Sequence, residues 1–210
     1  MARERDYTET EEQIFEAALK EFAHNGKKGA RLQAIADAAG VNKALVHYYF
    51  RNKQHLYEEV FDYIYSRFFY CLCSALQGSG NFREMLKSFI NVYIDFLKTY
   101  NGFSLLMRNA LDLEPEVLQD KYQELVRENK AAPSTVFAQK IKEFMDNGEI
   151  RKVDPFQTFI TLLGSCNYLF IGYPVLSIAH PDLEENWDWY VQQRKEHLFE
   201  LLYRGLKNDN

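Results

Sequence analysis

The segment over residues 36–53 constrains the fold of this chain more than any other part of the sequence. It reads as the end of one short helix, a turn at Gly40 and a second short helix. Glycine accepts the positive φ that ends a helix abruptly, and Asn42 follows as a residue type that caps a new helix. This order of elements is the helix-turn-helix pattern. We therefore predict helices over 30–39 and 42–49.

The second of these helices has two faces of different chemistry. Its apolar residues Val46 and Phe50 fall on the side of the preceding helix, which fixes the angle between the two. The opposite face carries Lys43, Ala44, His47 and Tyr48, with Leu45 between the faces. Lysine and histidine can donate to phosphate or guanine, tyrosine can reach phosphate, and leucine can contact a thymine methyl. The pattern predicts a helix that lies in the DNA major groove.

Charge is distributed unevenly along the chain. Between residues 27 and 53 the only acid is Asp37, although the whole chain carries a formal charge of −5. The basic residues of that segment are Lys27, Lys28, Arg31, Lys43, Arg51 and Lys53. A basic segment in an acidic chain is typical of one localised polyanion site. For the motif alone, a solvated basic helix with ordinary core aromatics remains the alternative.

These residues resemble the TetR family of bacterial one-component transcriptional regulators. The resemblance runs from about Thr10 to Tyr57, and its motifs are residues 13–23, the Asn25-Gly26 turn and residues 35–53. It implies an all-α protein in which an N-terminal three-helix helix-turn-helix head is joined by a long helix to a C-terminal helical body. The body is expected to bind an effector and to dimerise.

The resemblance also implies roles for individual residues. The positions that meet double-stranded operator DNA are Gln33, Lys43, Ala44, Leu45, His47, Tyr48 and Lys53. Lys53, at the start of the fourth helix, is expected to hold a phosphate. Three positions depart from the family pattern: Ala30 replaces the usual cap of the second helix, Leu45 replaces a hydroxyl residue, and Arg51 replaces a frequent proline.

Helical periodicity runs through the chain, and strand signals are nearly absent. We expect the DNA-binding domain over 1–53 and the effector and dimerisation domain over 54–210. The predicted helices cover about Thr10–His24 and Lys53–Gln77, begin near Phe82, Phe103, Pro115, Pro133 and Asp154, and close with about Glu184–Leu206. Pro174 and Pro181 mark the end of the helix that begins near Asp154. The long helix is apolar over a wide arc, so it packs on more than one side and links head to body.

The helices near 155–172 and 184–206 are predicted to form a homodimer. Their apolar positions exceed what one packed side needs, and two helices from each subunit make a four-helix bundle. The expected interface residues are Phe159, Leu163, Cys166, Phe170, Tyr190, Arg194, His197, Leu198, Leu201 and Leu202. The alternative is that these stripes serve only the monomer core.

The aromatic-rich body between residues 60 and 170 also contains a few polar side chains, a pattern typical of small-molecule sites. The resemblance implies an effector of unknown identity, and the acidic body favours a lipophilic or aromatic one. The expected lining is Tyr65, Phe69, Phe89, Tyr93, Phe103, Met107, Arg108, Phe144 and Asn167. Ordinary helix packing is the alternative for each of them.

Other functions are weighed against this one. The sequence has no glycine-rich phosphate loop, His-Glu-x-x-His or Gly-x-Ser-x-Gly motif, so an enzyme is not expected. A DNA-binding protein without an effector, architectural or of low specificity, is the main alternative. Cys71, Cys73 and Cys166 fit no zinc pattern, and we expect free thiols, with a redox role as the alternative and no metal or cofactor. The charged N-terminus and the lack of a long apolar run predict a cytoplasmic protein without a membrane span.

Overall fold

A computed structural model describes residues 7–77, 80–113, 115–127 and 131–208. Within these ranges the regular elements are helices, and a single isolated β-bridge pairs Ile150 with Lys207. The helices are α1 (Glu9–Gly29), α2 (Leu32–Ala38), α3 (Lys43–Phe50), α4 (Lys53–Gln77), α5 (Phe82–Thr99), α6 (Phe103–Leu113), α7 (Pro115–Arg127), α8 (Pro133–Asp146), α9 (Pro155–Ile171), α10 (Tyr173–Ala179) and α11 (Trp187–Leu206). The prediction of an all-α fold is confirmed.

The chain forms two compact units, and the first contains the described parts of 1–67 and 100–130. Its centre is α1, which packs against α2 and α6. Apolar residues at helical spacing form a buried stripe on α1: Ile14, Phe15, Ala18, Leu19 and Phe22. The Asn109 amide of α6 donates to the Ala23 carbonyl at 2.9 Å. This bond fixes α6 to α1 and gives Asn109 a structural role.

The second unit contains the described parts of 68–99 and 131–210. In it α5 packs on α9 and α11, and α8 packs on α9. One side of α5 is buried at helical spacing: Phe82, Met85, Leu86, Phe89, Ile90, Tyr93, Ile94, Phe96 and Leu97. The Arg194 guanidinium of α11 donates to the Ser165 carbonyl of α9 at 2.6 and 3.2 Å. α4 supplies residues to both units, and the predicted domain boundary after residue 53 stays a prediction.

Most helix boundaries agree with the sequence analysis, because local capping signals set them. α4 covers the predicted residues, and Asp154 caps α9 by accepting from the Gln157 N–H at 2.7 Å. The predicted end of α1 near His24 agrees with a break at Gly26, where φ is +62° and ψ is 170°, and a short further stretch of helix continues to Gly29.

The end of α9 also needs correction. No element is predicted from the sequence between Pro174 and Pro181, yet α10 lies there and a 3₁₀ turn follows over Pro181–Leu183. Each proline stands in the first turn of a new element, where its missing N–H costs nothing. α11 consequently begins at Trp187, three residues later than predicted.

Within the described residues no single helix is long and apolar enough to span a membrane. α9 and α10 meet the length and hydropathy criteria only as a pair, and that pair bends by 64°. The same residues contain no cluster of three or more His, Cys, Asp or Glu side chains arranged to hold a metal ion.

Candidate nucleic-acid interface

The turn between α2 and α3 has the geometry that the sequence predicts. Gly40 has φ of +69°, and the Val41 N–H donates to the Ala36 carbonyl at 3.0 Å. The Gly40 N–H donates to the Asp37 backbone carbonyl at 3.2 Å, which completes the glycine-based termination of a helix known as the Schellman motif. The Asn42 side chain then accepts from the Leu45 N–H at 2.8 Å and starts α3. These bonds define a sharp helix-turn-helix.

Aromatic packing holds α3 against the rest of the first unit. Val46 and Phe50 are 1% exposed, as predicted for the inward face. The Phe50 ring lies 5.3 Å from Phe15 of α1, and Phe15 lies 4.9 Å from Tyr63 of α4. Edge and tilted contacts at these distances are favourable beyond area burial. α3 is therefore fixed in rotation, which determines which side chains it presents outward.

The outward face of α3 carries the predicted side chains. Lys43, Ala44, His47 and Tyr48 are exposed, and Leu45 is half-buried between the faces. The Tyr48 side chain is 79% exposed, a large value for an aromatic residue. The structure thus brings together a cation, an imidazole, a phenol and a small residue on one surface of one helix. Their contacts with DNA stay a prediction.

The orientation of the His47 ring is fixed by hydrogen bonding. Its Nδ1 lies 2.8 Å from the Arg51 carbonyl oxygen, and the Arg51 N–H donates to the His47 carbonyl at 2.8 Å. A carbonyl oxygen only accepts, so Nδ1 carries the proton in this bond. The other ring nitrogen, Nε2, is left on the exposed side of the imidazole.

Arg51 occupies an unusual backbone conformation that the sequence analysis missed. Its φ and ψ are +60° and −52°, and it is the one non-glycine residue with positive φ in the described part of the chain. The Asn52 N–H donates to the Phe50 carbonyl at 2.6 Å, so Arg51 is the centre of a rare γ-turn. A proline, with φ fixed near −65°, cannot adopt it. The proline that is frequent at this position in the family could not adopt the φ of Arg51, so the backbone here differs from that of a chain with proline.

Lys53 makes internal contacts that its sequence position does not reveal. Its Nζ donates to the Lys28 carbonyl at 2.9 Å and to the Ala30 carbonyl at 3.0 Å. An ammonium group has three N–H donors, so one is left for a phosphate. Lys53 therefore joins the start of α4 to the connection between α1 and α2, in addition to any DNA contact.

The remaining predicted DNA-binding residue, Gln33 on α2, is exposed. The Gln33 amide donates to Asp37 at 2.8 Å on the same helix. The N-cap of α2 is Arg31, one residue after the predicted cap position Ala30, and its side chain makes no capping hydrogen bond. Arg31 is instead held through its backbone N–H, which donates to Glu21 at 3.0 Å. Its exposed guanidinium adds to the positive charge near α3.

Comparison with known proteins agrees with this geometry. Residues 14–60, which contain α2, the turn and α3, match the model of the bacterial regulatory proteins of the tetR family. The chain belongs to the TetR family. The matched residues contain the family's helix-turn-helix, which is why a short segment of the sequence is enough to indicate DNA binding.

Relatives of this TetR-family chain are regulators by name. The HTH-type transcriptional regulator YhgD of Bacillus subtilis is 25% identical over 151 residues, 71% of this chain and 76% of that protein. The HTH-type transcriptional repressor SCO4008 of Streptomyces coelicolor is 45% identical over 58 residues, 28% of this chain and 30% of the repressor. The ketosteroid transcriptional regulator KstR2 of Mycobacterium tuberculosis covers 97% of this chain and 98% of its own, with a TM-score of 0.68 at 13% identity. The structural likeness shows a shared fold.

The predicted effector residues of this TetR-family chain are divided between the two units. Tyr65, Phe103, Met107 and Arg108 belong to the first unit, and Phe69, Phe89, Tyr93, Phe144 and Asn167 belong to the second. Arg108 is exposed, whereas Phe89, Tyr93, Phe103 and Phe144 are buried. Burial raises the pKa of Tyr93 well above its ordinary value, so its hydroxyl stays protonated. The set stays a prediction.

Three of the predicted dimer residues pack inside the second unit. Phe159, Cys166 and Leu198 are 8%, 0% and 2% exposed, so they are core residues of the subunit. Burial raises the pKa of the Cys166 thiol to about 12. Leu163, Phe170, Tyr190, Arg194 and Leu202 are half-buried, and His197 and Leu201 are exposed.

A different face of α9 is apolar and exposed. Phe156, Ile160 and Tyr168 are 60%, 47% and 58% exposed, and exposed Gly164 continues the same four-residue spacing. Val175 and Ile178 of α10, and Trp189 of α11, are also large apolar side chains with more than half of their surface exposed. This exposed surface was not predicted from the sequence. Because α9 is apolar on almost every side, its periodicity does not show which side faces inward.

Proposed function

We propose that this TetR-family protein is a transcriptional regulator that binds a palindromic DNA operator as a homodimer. It acts as a repressor, and a small lipophilic or aromatic effector changes its DNA affinity. The observation that carries the proposal is the fixed rotation of α3. Buried Val46 and Phe50 hold it, and the opposite side exposes Lys43, His47 and Tyr48. A pre-oriented basic helix after a sharp turn is the geometry of major-groove recognition.

Charge and relatives support the DNA-binding part. Lys28, Arg31, Lys43 and Arg51 are all exposed. Positive side chains at one end of an acidic chain favour one orientation on a polyanion. SCO4008, the relative whose identity over the matched segment is 45%, is named as a repressor.

The homodimer is supported by the exposed apolar surface of α9 to α11. A monomer of this size rarely exposes so many large apolar side chains on consecutive helices, and such surfaces usually bind another protein. We place Phe156, Ile160, Tyr168 and Leu201 at the contact between subunits. Exposed Gly164, in the middle of the α9 stripe, allows close approach of a partner helix.

An open cavity of about 390 Å³ in the second unit supports effector binding. Its floor includes the apolar side chains Phe82, Leu86 and Phe137, and its rim includes Arg151 and Gln157. This volume and this mixture of apolar and polar lining are common in small-molecule sites. None of the nine predicted effector residues lines it, so it is a second candidate location for the effector.

The regulatory mechanism is thermodynamic linkage. α4 begins with Lys53 beside the helix-turn-helix and continues to Gln77 in the second unit. An effector that prefers one arrangement of α4 shifts the population of DNA-competent dimers, and DNA weakens effector binding by the same factor. A coupling of about 1–3 kcal/mol changes DNA affinity by roughly 5- to 150-fold.

Selection of the purified protein against a random duplex library at near-physiological salt tests the proposal. We expect an enriched palindrome whose half-sites lie roughly 34–36 Å apart, one turn of DNA. Absence of enrichment, with binding that disappears as salt rises, would indicate the alternative, a DNA-binding protein of low specificity.

A separate measurement tests whether the protein binds a small-molecule effector. Lipophilic aromatic compounds at saturating concentration should raise the melting temperature and change the affinity for the selected duplex, because a ligand stabilises the state that it binds. If neither quantity changes across a diverse compound set, the effector proposal is wrong while DNA binding stands.

A further inference from the structure

The hydrogen bonds around His47 determine which chemical groups this side chain can recognise. Nδ1 donates to the Arg51 carbonyl at 2.8 Å, and the Arg51 N–H returns a bond to the His47 carbonyl at 2.8 Å. A side chain on a helix normally leans towards the N-terminus, so a bond to the carbonyl four residues later is unusual. The γ-turn at Arg51, with its positive φ, turns that carbonyl back towards the ring.

In a neutral imidazole with a proton on Nδ1, Nε2 is a hydrogen-bond acceptor. Phosphate oxygens, guanine O6 and N7, and thymine O4 are acceptors as well, so they cannot pair with this form of His47. The donors in the major groove are the exocyclic amino groups of adenine and cytosine. For this neutral tautomer the recognised group therefore differs from the phosphate or guanine acceptor expected from the sequence.

We propose that neutral His47 reads the exocyclic amino group of adenine or cytosine through its Nε2, and that the Arg51 carbonyl selects the tautomer that makes Nε2 the acceptor. The inference rests on the proposed DNA-binding function. Each base pair presents one amino group in the major groove, on one of its two bases. An acceptor at this position therefore distinguishes adenine or cytosine from guanine or thymine on a given strand.

The neighbouring side chain on the same face has the opposite polarity. Lys43 precedes His47 by four residues, so the two are adjacent on the helix surface, and both are exposed. An ammonium group only donates, which suits guanine or a phosphate oxygen. α3 thus presents a donor and, one turn later, an acceptor. In each half-site we therefore expect an adenine or cytosine that His47 reads, next to a guanine or a phosphate oxygen that Lys43 contacts.

The first test examines the protein alone. Long-range proton–nitrogen NMR at about pH 8, where free imidazole is neutral, reports which ring nitrogen carries the proton. We expect a protonated Nδ1 and a bare Nε2 for His47, assigned by its loss in His47→Ala. His24 is the matched control, because its Nδ1 also lies 2.8 Å from a carbonyl, that of Lys20, on α1. A His47 proton on Nε2 would overturn the inference without touching the proposed function.

The second test couples the side chain to the base. The duplex selected by the wild-type protein is compared with one in which the contacted adenine is replaced by purine, which lacks the amino group, or the contacted cytosine by 2-pyrimidinone. Wild-type affinity should fall roughly 3- to 10-fold, the value of about one hydrogen bond. His47→Ala should show no such difference, and His24→Ala should behave as wild type.

The outcomes separate the inference from the function on which it rests. Two outcomes would overturn the inference and leave the proposed function standing. In the first, His47 contacts guanine or thymine in the selected operator; in the second, His47→Ala leaves operator affinity unchanged. Failure to select any sequence overturns the proposed function and the base contact together, while the NMR result still decides the proton position.

Discussion

At the scale of single residues, Arg51 is held in a conformation that ordinary side chains avoid. A non-glycine residue at positive φ outside the common regions costs on the order of 1–3 kcal/mol. Glycine adopts such values without a steric penalty. We expect Arg51→Gly to be about 1 kcal/mol more stable than Arg51→Ala, although both lose the same guanidinium. Urea unfolding of the two variants measures the difference, and equal stabilities would contradict the γ-turn.

Lys53 combines a structural role with a place near DNA. Lys53→Met removes two hydrogen bonds from a charged donor, so the free energy of unfolding should fall by roughly 1–2 kcal/mol. If Lys53 acts mainly through its bonds to Lys28 and Ala30, DNA affinity falls while the slope of log affinity against log salt stays nearly constant. Each lost phosphate contact would instead lower that slope by about 0.9.

The control for Lys53 is Lys43→Met on the exposed face of α3. It should leave stability within about 0.5 kcal/mol, as surface substitutions usually do. A Lys53 variant with unchanged stability and a slope lower by about 0.9 would restore the simple phosphate role that the family resemblance implies.

These residues show where sequence reasoning is sufficient at this scale. The Gly40 turn and the Asn42 cap were predictable, because each depends on atoms within a few residues along the chain. The carbonyl partners of Lys53 lie 23 and 25 residues away, so only the folded chain reveals them. The bond between His47 and Arg51 is local, but it depends on a positive φ at Arg51 that the presence of an arginine in the sequence does not predict.

At the scale of the helix, Asn42 should control how well α3 is formed. Asn42→Ala leaves the Leu45 N–H without its side-chain acceptor and should destabilise the protein by about 1 kcal/mol. DNA affinity should fall on every sequence, because the whole first turn of α3 frays. Asn42→Ser retains a capping oxygen and should recover most of both quantities in urea unfolding and DNA titration. If serine is no better than alanine, the cap is not the cause.

Helix positions were easier to predict than helix faces. α4 and the starts of α8 and α9 lie close to the predicted residues, because proline and capping side chains mark them. Phe159 and Cys166, which were predicted to face a partner subunit, are buried within their own subunit on the inward face of α9. An apolar residue looks the same in sequence whether it packs inside its own subunit or faces outward.

At the scale of the whole molecule, the exposed stripe of α9 predicts the oligomeric state. Ile160→Glu places a charge in the proposed subunit contact, where no partner charge compensates for its burial. Light scattering at micromolar concentration should give about twice 24.8 kDa for the wild type and a value near 24.8 kDa for the variant.

Leu111→Glu is the matched control for the dimer. Leu111 is 63% exposed on α6 of the first unit, so it tests whether an added surface charge alone dissociates the protein. A wild-type mass of one subunit would rule out the homodimer. A dimer that survives Ile160→Glu would place the contact on another surface.

The affinity ratio between the selected duplex and a scrambled duplex of equal length, at about 0.15 M salt, distinguishes sequence-specific binding from binding through charge alone. A dimeric regulator that reads bases through α3 should prefer the selected duplex by roughly 10³- to 10⁷-fold. His47→Ala and Lys43→Ala should each reduce that preference at particular base pairs. Equal affinity for the two duplexes, with a steep salt dependence, would contradict sequence-specific reading and leave a protein that binds DNA through charge alone.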